Sequence, residues 1–274
     1  MTKDVTAPEF LYHYTSINTL AQILDTNKIR FNRLDKVDDV TESLSTDLGN
    51  FGRFFFVSCW TDSPEENIPL WSMYTPGMTG VRIKLPVKMF KTYKVESRPD
   101  LGVTVTDVDE SVLPFESIFN DHYWAVPSFL KYDSFLQKIR YTSDEELYKK
   151  VKTVQDGNRA SFNWGEFCTY KKDVWGFQSE WRFLLNFIPV IGKNQKNNQA
   201  WLEVFIKFLL HSVRHGDLPF DQFFLELKKE AIDQIEVVMG PKCNHGHRKI
   251  VEALLEKYCN GPTILDSHLA GTIR

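Results

Sequence analysis

The chain has 274 residues, 42% of them apolar and 25% charged, which fits a globular polypeptide of one large domain or two small ones. A formal net charge of −3 gives no overall basic field. That argues against strong sequence-independent nucleic-acid binding but leaves a local basic groove open.

Residues 1–9 form an arm without the apolar core of a signal peptide, and no run is long enough to span a bilayer. A bacterial cytoplasm is the expected setting, with Cys59, Cys168, Cys243 and Cys259 as free thiols. Residues 10–14 read as a short strand. Ser16 then offers an N-cap for a helix in which Ile17, Leu20, Ile23 and Leu24 share a face. Residues 28–31 return to extended chain, and an Asp-rich polar loop covers 32–42. The most apolar short run, 53–60, is expected as a central strand. Pro69 opens a brief helix with Trp71 and Tyr74 on one side, ended by Gly77 and Gly80. Residues 80–85 alternate and predict a half-exposed strand.

Residues 103–107 fit a strand and 144–154 a surface helix. Residues 175–185 predict a strand with Glu180, Arg182 and Leu184 on one face and Trp181, Phe183 and Leu185 on the other. A carboxylate and a guanidinium amid so much aromatic surface are costly to bury without a reason. Residues 199–215, with Trp201, Val204, Phe205, Phe208 and Leu209 at helical spacing, and 220–231 predict amphipathic helices. Residues 235–239 form a strand stopped by Gly240-Pro241. A helix bearing Ile250, Leu254, Leu255 and Tyr258 follows, and 261–274 is a tail. The expected fold is α+β, a single domain over 10–260 with helical insertions near 86–165 and 190–230.

Standard phosphate-loop, dinucleotide, zincin and hydrolase motifs are absent. Cys243, His245 and His247 gather soft ligands, but without a second cluster a loop and helix start outweighs a zinc site, so no metal is expected. Glu226-Leu-Lys228 has the spacing of a nuclease signature, yet on an amphipathic helix it reads as a solvated charged face. His13, Trp71, Tyr74 and Glu180 would each, taken alone, be structural. Their joint occurrence and order carry the functional reading.

Leu11-Tyr-His13-Tyr-Thr-Ser16, Phe31, Asp38-Asp39 with Glu42, Phe56-Val-Ser58, Leu70-Trp71-Ser72-Met-Tyr74, Gly80-Val81, Lys172, Trp175, Glu180-Trp-Arg182 and Val238-Met-Gly240-Pro241 follow one pattern. From about residue 10 to 256 it resembles a widespread bacterial family, domain of unknown function twenty-nine seventy-one. The loop departs from that family's Asn-Asp-Pro-Phe-Glu, with Val40 in place of the proline.

The order His, Tyr, strand-borne Glu also resembles the His-Tyr-Glu arrangement of ADP-ribosyltransferases, including DNA-modifying toxins and poly-ADP-ribose polymerases. That resemblance implies a split, mostly antiparallel sheet and NAD as substrate, with no metal. It implies His13 on a ribose hydroxyl, Tyr74 or Trp71 stacked on nicotinamide, and Glu180 on the 2′-hydroxyl of the nicotinamide ribose. Gln178-Ser-Glu180 resembles the Gln-x-Glu turn that helps select the acceptor. Tyr14, Arg30 and Arg182 complete the implied NAD-binding set, and Arg30, Arg33 and Arg182 stay open as holders of the pyrophosphate. Cleaving the nicotinamide–ribose bond builds an oxocarbenium-like cation, which a fixed carboxylate stabilises most in the transition state.

The expected function is therefore an NAD-consuming ADP-ribosyltransferase-like protein or NAD glycohydrolase, a toxin or anti-phage effector with protein or nucleic acid as possible acceptor. The alternative is a non-catalytic module that senses a nucleotide or phage component in the same pocket. A metal-dependent nuclease would need clustered carboxylates that the strands do not supply.

Overall fold

Ser16 is extended, and its hydroxyl accepts the Thr19 N–H at 3.0 Å, so helix α1 (Ile17–Thr26) starts directly after strand β1 (Phe10–Thr15). Leu20, Ile23 and Leu24 are its buried face. Asn27 ends the helix in the left-handed region, with φ 55°, and its amide donates to the Leu227 carbonyl at 2.9 Å. The computed structural model describes residues 6–46, 48–97, 109–118, 120–144, 153–156, 159–162, 167–190, 211–213 and 215–273.

Strands β2 (Lys28–Arg33) and β3 (Phe55–Thr61), helix α2 (Ile68–Tyr74) and strand β4 (Val81–Pro86) follow. Then come β5 (Tyr123–Ala125), β6 (Leu136–Lys138), β7 (Glu180–Pro189), β8 (Gln222–Glu226), β9 (Glu236–Met239), helix α3 (His245–Tyr258) and β10 (Thr263–Asp266). The ten strands join in one sheet of order β6-β7-β3-β1-β4-β9-β10, with β5 on β7 and β2 bridging β3 to β8. Within it only the β9–β10 pair is parallel. The fold is mixed α+β with a mostly antiparallel sheet.

Strand β3 is where the sheet divides. Its one edge pairs with β7 along its whole length, from Thr61↔Glu180 to Phe55↔Asn186. The other edge is shared. Val57 and Phe56 pair with Asn32 and Arg33 of β2, whereas Thr61 pairs with Tyr12 of β1. Between these contacts β1 and β2 part, and the β3 backbone around Ser58–Trp60 faces a notch instead of a neighbouring strand. Helix α1 connects the two diverging strands.

Beneath the sheet lies an aromatic core. Phe31, Phe135 and Phe183 are at most 1% exposed, and the Phe135–Phe183 and Phe90–Phe183 ring centroids lie 5.2 and 4.9 Å apart. Helix α3 is tied to α1 by the Tyr258 hydroxyl, which donates to Asp25 at 2.6 Å. Gly240 fits because a Cβ there would meet the Met78 carbonyl oxygen at 2.5 Å.

Several expectations need correction. Residues 173–178 form a 3-10 helix, and the strand begins only at Glu180, because Ser179 at φ 44° reverses the chain. The apolar run at 53–60 likewise starts in a 3-10 turn, Phe51–Phe54. Residues 222–226 are a strand, not a helix, and only Lys229–Asp233 is helical in that stretch. The period there is two, with Leu225 and Leu227 buried and Phe224 turned outward.

The described residues of 86–165 form mainly short strands and turns, including an Arg140–Thr142 strand paired with Tyr170–Lys172 and a Thr153–Asp156 hairpin with Arg159–Phe162. Among the described residues of that region, only Tyr132–Phe135 is α-helical. On the face of β4 expected to be exposed, Arg82 is buried while Lys84 and Pro86 stay partly exposed. On α3 the buried residues are Val251 and Leu255, while Ile250 is exposed. The tail contributes β10, and beyond it Ser267 Oγ and the His268 N–H donate to Glu66 at 2.6 and 2.7 Å. The strand expected at 103–107, residues 145–152 of the expected surface helix and the 199–210 part of the amphipathic helix lie outside the described residues. His211–Val213 are helical.

Candidate functional site

The notch between β1 and β2 opens into a cleft of about 850 Å³, near the upper end of the roughly 300–1,000 Å³ common for ligand sites. Its walls come from residues 12–15 of β1 and the Ser16 cap, the outer face of β2 and the 57–61 stretch of β3, with α1 on one side and Tyr74 of α2 on another. Gln178, Glu180 and Arg182 enter from β7 and the turn before it. His13, Tyr14, Arg30, Tyr74, Gln178, Glu180 and Arg182 therefore meet at one cleft. Trp71 does not. It is fully buried, its indole N–H donates to Glu66 at 2.8 Å, and its ring packs edge-on to Tyr14, so it cannot stack on a ligand.

His13 Nδ1 lies 2.9 Å from the Cys59 carbonyl at the unpaired part of β3. A carbonyl only accepts, so Nδ1 carries the proton and Nε2 keeps a lone pair. Burial, opposed by that hydrogen bond and helped by the charge of Arg30, lowers the His13 pKa, which keeps the ring neutral. The Trp60 ring, 5.0 Å away, fixes its tilt. Tyr14 is largely buried, and its hydroxyl accepts the Asn67 N–H at 3.0 Å, so it shapes the wall.

Glu180 is 3% exposed and sits in a buried cluster of four charges. Arg182 Nε approaches one Glu180 oxygen at 2.5 Å, and Lys171 Nζ the other at 3.1 Å. Both cations also reach Glu42, Lys171 at 3.1 Å and Arg182 at 2.5 Å. Burial alone would raise the Glu180 pKa, but Arg182 and Lys171 overcome it and hold the carboxyl well below its usual range. Ser179, a non-glycine residue in the left-handed region, turns the chain so that Gln178 and Glu180 both face inward. Gln178 then links the cluster to Tyr74. Lys171 donates to its carbonyl oxygen at 2.8 Å, and its amide donates to the Tyr74 hydroxyl at 2.7 Å. Burial and the nearby Asp38 carboxylate push the Tyr74 phenol far above its ordinary pKa, so it stays protonated.

Sequence reading missed two members of this cluster as site residues, Lys171 and Glu42. Lys171 and Lys172 are neighbours in a short strand, and nothing in their order says which turns inward. Glu42 was visible only as part of the acidic loop. Without the proline, Asp39 shapes that loop by accepting the Thr41 N–H at 2.9 Å and its hydroxyl at 2.6 Å, which delivers Glu42 to the cations.

Five cations, Lys28, Arg30, Lys36, Lys171 and Arg182, line the cleft against two carboxylates, Asp38 and Glu180. A chain of net negative charge thus concentrates positive charge at one concavity, which favours an anionic ligand. Among the candidate arginines, Arg33 is paired with Asp35 at 2.7 Å and Asp217 at 3.1 Å, and Arg182 is engaged in the buried cluster. Arg30 is exposed and holds no ion pair among the described residues.

The Cys243–His247 stretch is a helix start. Asn244 accepts the His247 N–H at 2.9 Å, and His247 Nδ1 accepts the Asn244 N–H at 3.2 Å. Asn244→Ala is expected to lower stability by about 1 kcal/mol. Zinc should not shift the wild-type melting temperature, and a shift would restore the metal reading. Among the described residues no group of three or more His, Cys, Asp or Glu side chains could hold a metal ion, and no helix is long and apolar enough to cross a membrane. All four cysteines are free. The chain matches no protein-family model, and no curated protein or solved structure is significantly similar to it.

Proposed function

We propose that the cleft binds NAD and that the protein breaks its nicotinamide–ribose bond, passing ADP-ribose to an acceptor or to water. One observation carries this reading: the notch where β1 and β2 part brings His13, Tyr74 and Glu180 to the same cation-lined cleft. The divided sheet supports an architecture of ADP-ribosyltransferase type. His13 Nε2 would accept from a ribose hydroxyl, Tyr74 would present its ring or its proton near nicotinamide, and Glu180 would face the cationic sugar as the bond breaks. The phosphates would lie toward Arg30, Lys28 and Lys36. A reaction that consumes a central cofactor fits a bacterial toxin or anti-phage effector with a macromolecular acceptor.

A second reading has its own observation. Both Glu180 oxygens are already engaged by Arg182 and Lys171, as expected of a structural cluster under a nucleotide-sensing pocket. Purified protein incubated with NAD, with and without cell lysate, separates the two. Nicotinamide release is expected for the enzyme. A nucleotide-induced rise in melting temperature with no release would assign the cleft to sensing.

A further inference from the structure

Strands β2 and β8 form a ledge at one end of the cleft, with Arg30 directly opposite Phe224 and Lys28 opposite Glu226. Alternation puts Lys28, Arg30 and Asn32 on the outer face of β2, while Ile29 and Phe31 enter the core. Phe224 is 49% exposed, the one aromatic among the exposed large apolar side chains of the described residues, and it lines the cleft. Side chains directly opposite on an antiparallel pair lie about 5 Å apart at Cβ, so a ligand on the Phe224 ring comes within reach of the guanidinium. Glu226 closes the far end and is itself held by Lys91 at 3.1 Å and the Tyr93 hydroxyl at 3.0 Å.

An exposed aromatic face beside an arginine that holds no ion pair among the described residues matches a planar base that carries phosphate. We propose that this ledge is a nucleoside-diphosphate subsite, in which Phe224 stacks on the base and Arg30, supported by Lys28, holds the diphosphate. It rests on the reading of the cleft as a dinucleotide site and assigns that ligand's direction. The adenylate half lies on the ledge, and the nicotinamide half runs toward Tyr74 and Glu180.

The test is calorimetric binding of ADP and of nicotinamide mononucleotide at fixed salt, for the wild type and for Phe224→Ser, Phe224→Tyr and Arg30→Gln. A stacked base is worth a loss of roughly 5- to 100-fold on removing the ring, so Phe224→Ser should weaken ADP by that factor. Phe224→Tyr should stay within about 2-fold because it keeps the π-face. Arg30→Gln should weaken ADP and flatten the salt dependence of its binding. Affinity for nicotinamide mononucleotide should survive Phe224→Ser. Equal ADP affinity in Phe224→Ser and wild type overturns the subsite. A short single-stranded oligonucleotide that binds through Phe224 more tightly than ADP also overturns it and assigns the ledge to nucleic acid. Mononucleotide binding without ADP binding removes the ledge and leaves the cleft. Phe224-dependent ADP binding without NAD turnover keeps the ledge and removes the catalytic proposal.

Discussion

Glu180→Gln should lose NAD turnover by roughly 100- to 1,000-fold and also lose stability, two effects with different origins. The first follows if the carboxylate stabilises a developing sugar cation, since removing one well-placed electrostatic partner in a dry site costs about that much. The second follows from the cluster around it. Neutralising Glu180 leaves Arg182 and Lys171 buried with Glu42 as their one remaining carboxylate partner in the cluster, and breaking a buried pair costs about 3–5 kcal/mol. For a chain of this size that is a drop of about 10 °C in melting temperature. Turnover must therefore be measured well below the variant's transition. A folded Glu180→Gln protein that still releases nicotinamide at the wild-type rate removes Glu180 from the chemistry.

Arg182→Met is the larger structural lesion. It leaves Glu180 and Glu42 sharing Lys171 in a site that is at most 4% exposed. A loss at the upper end of the 3–5 kcal/mol range is expected at neutral pH, read as a lower urea midpoint. In the wild type the depressed Glu180 pKa contributes stability that is fully present above the unfolded value near 4.5 and is lost as pH falls through the lower folded value. In Arg182→Met the carboxyl lacks its main cationic partner and its folded pKa rises above the unfolded one, so its penalty shrinks on acidification. The gap between the two proteins should narrow from pH 7 to pH 4. The double variant Glu180→Gln with Arg182→Met should cost less than the two single losses together. Strict additivity, or a gap independent of pH, would mean that the cluster is not an energetic unit.

Local elements were the legible part of this molecule. The Ser16 cap, α1, β2, α2 and the strand ended by Gly240-Pro241 follow from short-range chemistry, and the shared face of Glu180 and Arg182 follows from period two. The His13, Tyr74 and Glu180 convergence was inferable only from order along the chain, because three strands and a helix bring it about. Phe-rich residues 220–226 misled the helical reading, since their apolar positions fit both periods until β2 supplies a pairing partner. Trp71 failed as a cleft residue for a related reason. An aromatic on a short helix does not reveal which side is covered, and here Glu66 and Tyr14 hold it inside.

The ledge also fixes when the site comes into existence during synthesis. Arg30 and Phe224 are neighbours in space but 194 positions apart in the chain, and the Asn27–Leu227 bond joins residues 200 apart. A ribosome that has made the first 220 residues has already emitted His13, Tyr74 and Glu180, yet β2 still lacks the strand beside it. A nascent or prematurely terminated chain thus has a cleft with one wall missing. Long-range closure of this kind comes late in folding, so the cleft is complete only once β8 has been made and has paired with β2.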